Sequence, residues 1–351
     1  MTQVRRGQPS RVWARKHPCE YPNRTQTTRL GAKTRLRVPE SRPTNRGKRG
    51  KHRGERKCET GNVLTEQQLD CFHTDGFVLV PDVLSADEVA TLQEGTWQQV
   101  PSPDQFFADP HAYAHLTNTP FAGLKNFPWQ SPELNRLVAH PRILSIVRQI
   151  LGVHDIRLYK GELWAKYAGN TDYDQHHHRD FGNHTLVVPS LRRQWMQITT
   201  FTYLCDVDES NGATAAVPKR HSANIPLGQR RTEPGELRDR EVLACGKAGT
   251  TLVYSTEVFH RGTSMTSPTG SRFTVLADYK AADASWTNKH AFGHLGQQRE
   301  MIEFVTNVDP DIRTLLDIPA PGHPYWTEQT IDDMEVRYPG IDMAPYRAAR
   351  R

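Results

Sequence analysis

The stretch Thr250–Tyr279, TTLVYSTEVFHRGTSMTSPTGSRFTVLADY, decides the fold. It holds three runs rich in Val, Thr, Tyr and Phe, at 250–254, 258–265 and 272–279. Turn formers separate them, most clearly Ser267-Pro268-Thr269-Gly270. The same texture extends backwards to residue 155, through runs at 156–167, 195–204 and 212–217 with Pro, Gly and Asn between them. Many short strands without interleaved helices predict a sandwich or barrel, not a doubly wound sheet.

On either side the pattern turns helical. Thr65-Glu66-Gln67-Gln68 is a capping-box sequence, and Gly76 is a suitable stop for the helix it opens. Phe77–Val80 then reads as a strand ended by Pro81. Ser85-Ala86-Asp87-Glu88 opens a second helix, with Val89 and Leu92 facing inward. Ser131-Pro132 starts a third, and His140-Pro141 a fourth that runs through Ile143, Leu144, Ile146, Val147, Ile150 and Leu151 to Gly152. Helical pieces are expected again near 295–305, 310–316 and 328–337. The chain divides into a tail (1–60) and one domain (61–351). Within the domain, 61–153 is helical, 154–283 is the β core and 284–351 is helical. The expected class is mainly β with flanking helices, the core a double-stranded β-helix, or jelly-roll.

Composition narrows the possibilities. The 351 residues suffice for a sizeable core. Mean hydropathy is −0.69 and no run of eighteen apolar residues occurs, so no membrane-spanning helix is expected. The first residues lack the apolar core of a secretory signal. The five cysteines are an odd, scattered set without a C-x-x-C pair. Neither a zinc ribbon nor a disulfide framework is indicated, and a cytoplasmic setting is expected. The net charge of +6 conceals an asymmetry. Residues 1–57 hold 18 basic and 3 acidic groups, a charge of +15, which leaves −9 on residues 58–351. The tail is too poor in aliphatic residues to offset the entropy of ordering, so disorder is expected there. Its charge suits non-specific contact with nucleic-acid phosphates, and equally a dispensable extension.

The segment richest in chemistry is Tyr173-Asp174-Gln175-His176-His177-His178-Arg179-Asp180. Residues i and i+2 of a strand share a face, so His178 and Asp180 are able to grip one ion from the same side. Imidazole nitrogen and carboxylate oxygen suit Fe(II), and also Mn, Co or Zn. A third ligand is needed, and His260 is the best candidate. Two histidines and one carboxylate would leave three positions open, which suits a chelating cosubstrate and O₂. Twelve residues on is Arg272. If the intervening turn closes a hairpin, Arg272 lies opposite Met265, about 17 Å along the strand from His260. A five-carbon diacid and an arginine together would bridge much of that gap. Guanidinium is always charged and binds carboxylate through two parallel hydrogen bonds.

With these motifs in order, the chain resembles the phytanoyl-CoA dioxygenase (PhyH-type) family of Fe(II)/2-oxoglutarate oxygenases over roughly residues 64–283. The opening LTEQQLDCFHTDGFVLVPDVLSADEV and the H-x-D of His178 and Asp180 come first. Asn211-Gly212 before Val217-Pro218-Lys219-Arg220-His221, then His260 and Arg272, follow in the family's order. The resemblance implies Fe(II), 2-oxoglutarate and O₂ as reactants and release of succinate and CO₂. It implies hydroxylation of an unactivated C–H of a small-molecule metabolite. It places Lys166 near the oxoglutarate and Phe201 on the pocket wall. Retention of Asp180, where related halogenases have a small residue, implies oxygenation rather than halogenation. The run His-His-His-Arg-Asp departs from the family's bulky-His-Gln-Asp. His176 and His177 are therefore candidates for substrate contact, as is Trp164, which serves equally well as core. Two other readings remain open at this point. One is a jelly-roll metalloprotein acting as isomerase, hydrolase or binding protein, which has no need of Arg272. The other is a nucleic-acid-modifying oxygenase that uses the tail, against which the −9 body argues.

Overall fold

The computed structural model describes residues 63–119, 121–169 and 174–350. The 1–60 tail, and Tyr173 from the histidine-rich segment, lie outside the described residues.

The chain enters the fold through two capped helices. In α1 (Glu66–Asp75) the Thr65 hydroxyl accepts from the Gln68 amide while Gln68 Oε1 accepts from the Thr65 amide at 2.9 Å. This helix ends at Gly76, whose φ of 83° favours glycine. β1 (Phe77–Val80) follows, then α2 (Ala86–Trp97) from the reciprocal Ser85–Glu88 cap. Next come α3 (Pro103–Ala108), β2 (Leu124–Asn126), α4 (Pro132–Arg136) and α5 (Pro141–Leu151). All six aliphatic residues expected to face inward on α5 are buried, and Gly152 ends it with φ 69°.

The strand-rich part of the chain starts with β3 (Ile156–Tyr167), although β1 and β2 also join its sheet. After it come α6 (Phe181–His184), β4 (Ile198–Tyr203), β5 (Ala215–Ala216), β6 (Val242–Leu243), β7 (Thr251–Ser255), β8 (His260–Arg261) and β9 (Ser271–Ala281). Six strands form one antiparallel sheet in the order β1-β7-β4-β9-β3-β2. The second sheet, β6-β5-β8, is widened by bridges from His260 to His178 and from His178 to Arg231. A cluster containing Phe201, Tyr203, Leu252, Tyr254 and Leu276 of the large sheet packs against Ala213, Ala216 and Ala244 of the small one. Val253, Val275, Ala277 and Tyr279 project the other way, into the core shared with α2, α4 and α5. The period-2 alternation thus divides each strand between two apolar layers, so these strands are buried throughout. The result is the expected jelly-roll with helices outside it. Those after the core are α7 (Arg299–Asn307), α8 (Pro310–Arg313), α9 (Glu328–Arg337) and α10 (Ala344–Ala348).

Two expectations need correction. Residues 258–265 and 272–279 do not form a hairpin. β8 belongs to the small sheet and β9 to the large one, where it pairs with β3 and β4. The turn at 267–270 is a crossover between sheets, and turn chemistry alone does not separate a crossover from a hairpin. Arg272 therefore faces Lys166 across the β3–β9 pair, not Met265. The run at 258–265 is a strand only at His260–Arg261. Of the described cysteines, Cys205 and Cys245 are free. Among the described residues no helix is long and apolar enough to cross a membrane.

Candidate metal centre

His178 and His260 are neighbours because their segments bridge one another: each donates its amide to the other's carbonyl at 3.0 Å. Each ring is oriented by its own backbone. His178 Nδ1 lies 3.0 Å from the His176 carbonyl and His260 Nδ1 lies 3.1 Å from the Val258 carbonyl. A carbonyl only accepts, so each Nδ1 carries the proton and each Nε2 presents a lone pair. Both Nε2 atoms point to Asp180, at 3.6 Å from Oδ1 for His178 and 3.4 Å from Oδ2 for His260. The three donor groups lie within 4.8 Å of one another. Tyr254 on β7 donates its hydroxyl to Asp180 Oδ2 at 3.0 Å and fixes the carboxylate.

The electrostatics suit a cation. Burial, helped by the neighbouring His260, pushes the His178 imidazole down to about 4, so it is neutral at ordinary pH. Burial would raise Asp180, but His260, His184, His178 and Lys160 around it outweigh that and hold it well below the usual carboxylate range. Two imidazole nitrogens and a carboxylate are the donor set that Fe(II) favours in two-histidine-one-carboxylate sites. The residues present therefore fit the metal.

The centre opens on a cavity of about 440 Å³ between the two sheets. Arg272, Phe201, Leu276, Tyr254 and Thr214 line it together with the three candidate ligands. Arg272 is buried, and its guanidinium carbon lies 6.0 Å from the centre of the Phe201 ring. Lys166 is paired with it across the strands and donates to the Thr263 carbonyl at 2.9 Å. The acidic side chains Asp278 and Glu257 are engaged by lysines, Asp278 by Lys160 at 3.2 Å and Glu257 by Lys219 at 2.8 Å.

The three substrate candidates separate. His176 and Trp164 line the cavity. His177 does not: its ring is buried and its Nε2 meets Glu241 at 2.9 Å. Alternation along an extended segment turns 177 away from the face that carries 176 and 178. Arg179 is also buried and clamps the loops behind the site. Its Nε donates to the Glu257 carbonyl at 2.7 Å, one NH₂ to Pro226 at 2.6 Å and to Gln229 at 3.1 Å, and the group lies 4.0 Å over Phe259.

Sequence reasoning missed a charged network in the cavity floor. Lys160 sits 3.4 Å from Glu162 and 3.2 Å from Asp278, and Lys289 reaches Glu162 at 3.0 Å. Trp164 Nε1 donates to Glu162 at 3.0 Å. Burial would raise Glu162, but Lys160 and Lys289 bring it down to about 2. His184, one helical turn beyond Asp180, has its Nδ1 3.2 Å from Asp278. A signal existed: Lys160 and Glu162 fall in the middle of a strand-forming run, among Leu158, Tyr159, Leu163 and Trp164, and buried charges need partners.

Fold and site together define a jelly-roll with a two-histidine-one-carboxylate centre in its mouth. Comparison with known proteins takes this further. The phytanoyl-CoA dioxygenase (PhyH) family matches residues 72–274, and the chain belongs to that family. Among curated relatives, an ectoine dioxygenase of Sphingopyxis alaskensis is 24% identical over 224 residues, 56% of this chain and 70% of that protein. One from Bordetella parapertussis is 27% identical over 166 residues, 46% of this chain; the match spans half of that protein's length, 50%. Among solved structures, the epimerase SnoN with Fe³⁺, α-ketoglutarate and nogalamycin RO aligns at a TM-score of 0.49 with 22% identity, over 64% of this chain and 86% of that one. The apo form of EctD from S. alaskensis aligns at 0.47 with 21% identity, over 65% and 80%.

Proposed function

We propose that this protein is an Fe(II)- and 2-oxoglutarate-dependent dioxygenase that hydroxylates an unactivated C–H of a small-molecule metabolite. The observation that carries this is the convergence of His178, Asp180 and His260 to within 4.8 Å in a cavity that also holds Arg272. His178, Asp180 and His260 would hold the iron. Together with 2-oxoglutarate and O₂, the metal supplies the oxidising power, with release of succinate and CO₂. The chain's own part is placement. Two carbonyls keep the histidine Nε2 lone pairs inward, and Tyr254 steadies Asp180. Arg272, with Phe201 against it and Lys166 opposite, receives the distal carboxylate of the diacid. An isomerase or hydrolase would have no use for that arginine. The curated relatives are named for ectoine; at 24–27% identity the reaction class is the inheritance. The substrate is set by this cavity's own residues, His176 and Trp164 among them. Residues 61–351 act as one catalytic unit in this reading.

The test is anaerobic titration of the full chain with Fe(II) and 2-oxoglutarate. A visible metal-to-ligand charge-transfer band is expected, and it should vanish in His178→Ala and in His260→Ala. Absence of the band from the unaltered protein would reject the oxygenase reading; its persistence in either variant would reject that ligand.

A further inference from the structure

Two consecutive arginines at the margin of the small sheet, Arg230 and Arg231, line the cavity and have no part in the ligand set. Arg231 is bridged directly to His178 on the adjacent segment. Residues directly opposite across an antiparallel pair share a face, so Arg231 stands on the cavity side beside the metal position, and it lines the cavity. Arg230 lines it as well. Its side chain lies over Gly182, where a Cβ would come within 2.2 Å of Arg230 Cδ and 2.7 Å of Nε. The arginine holds this position because residue 182 has no side chain. Arg230 Nε is buried without a hydrogen-bond partner. Among the described residues, no carboxylate forms an ion pair with either arginine.

The remaining charges of the cavity are engaged. Lys160 and Lys289 share Glu162, and Asp174 is held by Arg238 and Arg261. Asp180 faces the metal position. In the oxygenase reading the two carboxylates of 2-oxoglutarate go to the metal and to Arg272. Two further guanidinium groups beside a divalent cation repel it unless another anion joins them. A guanidinium binds carboxylate or phosphate through paired hydrogen bonds, so it selects for that anion as well as neutralising it.

We propose that Arg230 and Arg231 form the substrate-recognition subsite, and that the substrate carries an oxyanion, a carboxylate or a phosphate ester. Anchoring that group on the small sheet beside His178 leaves the rest of the molecule to extend across the metal position toward Trp164. The inference rests on the oxygenase reading.

The test uses the full chain loaded with Fe(II) and 2-oxoglutarate without O₂. Acetate, inorganic phosphate and, as a cationic control, choline are titrated in separately, and binding is read by calorimetry. Acetate or phosphate should bind and choline should not, and the better anion tells carboxylate from phosphate. Affinity for that anion should fall at least ten-fold in Arg231→Met and in Arg230→Met. Arg231→Lys, which keeps the charge and loses the fork, should retain part of it. The charge-transfer band reports folding and cosubstrate binding in every variant. A band with no anion binding, or with equal binding in the Met variants, overturns this inference alone. A raised 2-oxoglutarate requirement in Arg230→Met overturns it too, by placing that arginine on the cosubstrate. No band in the unaltered protein overturns the oxygenase reading, and this inference with it.

Discussion

Each candidate histidine ligand offers Nε2 because a carbonyl two residues earlier in the chain occupies Nδ1. The tautomer is therefore written into local backbone geometry and does not depend on the metal. Asp180 has a different support, the Tyr254 hydroxyl at 3.0 Å. Tyr254→Phe should keep the fold, since it removes one oxygen from a ring packed among Phe77, Leu252 and Leu276. It should lower Fe(II) affinity about ten-fold, the usual scale for an outer partner of a ligand, as read by competition with a chelator. Unchanged affinity would show that Asp180 is fixed by the histidines alone. Arg272→Ala should raise the 2-oxoglutarate needed for half-maximal succinate release by at least about ten-fold, because a charge-assisted pair is lost. An unchanged requirement would move the distal carboxylate elsewhere. At this scale the sequence was legible where chemistry is unusual for its surroundings. Three histidines and an acid in one short run announce a site. A tyrosine in a buried strand reads as core, and only its contact with Asp180 distinguishes it.

Elements set by local chemistry were legible nearly to the residue. The boxes at Thr65 and Ser85 start α1 and α2, and Gly76 and Gly152 end α1 and α5. Elements set by distant contacts were not. β6 and β8 have two residues each, too few to carry a hydrophobic pattern. Side chains do part of the work of a ladder there. Glu241, just before β6, accepts from Arg261 Nε and one NH₂, both at 2.7 Å, and it meets His177 at 2.9 Å. One carboxylate thus joins the two segments that flank the ligands. Burial would raise its pKa, but the hydrogen bonds from His177 and Arg261 bring it down to about 2 from an ordinary 4.5. A depressed carboxylate contributes stability that is complete above its unfolded value and is lost as pH falls through the folded one. Acidification from about 4.5 to about 2 should therefore weaken the small sheet through this group. Glu241→Gln should cost about 1–3 kcal/mol near neutral pH and flatten that part of the stability profile, measured by denaturant unfolding at several pH values. A variant as stable as the parent would mean that the β5 pairings alone hold β6 and β8.

Across the whole molecule, charge is distributed on two scales that point in opposite directions. The body from residue 58 carries −9, and the preceding segment +15. Within the acidic body, the cavity gathers arginines beside the metal position, and apart from Asp180, which faces that position, its carboxylates are matched to lysines or arginines. A small anion is drawn into such a pocket, whereas a polyanion must first approach an acidic surface. Nucleic acid held by the basic segment would thus be tethered without being presented to the metal. The two oxygenase readings that the sequence left open differ on this point, and the tail's charge was plain in the sequence while the lining of the cavity was not. Uncoupled conversion of 2-oxoglutarate to succinate by the full chain should not rise when single-stranded or duplex oligonucleotides are added at about 50 mM salt, where phosphate contacts are strong. Any binding detected should weaken steeply as salt is raised to about 200 mM, as phosphate contacts through a basic segment do. Succinate release stimulated several-fold by an oligonucleotide, with a modified base recovered from it, would instead place nucleic acid in the cavity and make the tail part of the enzyme's substrate grip.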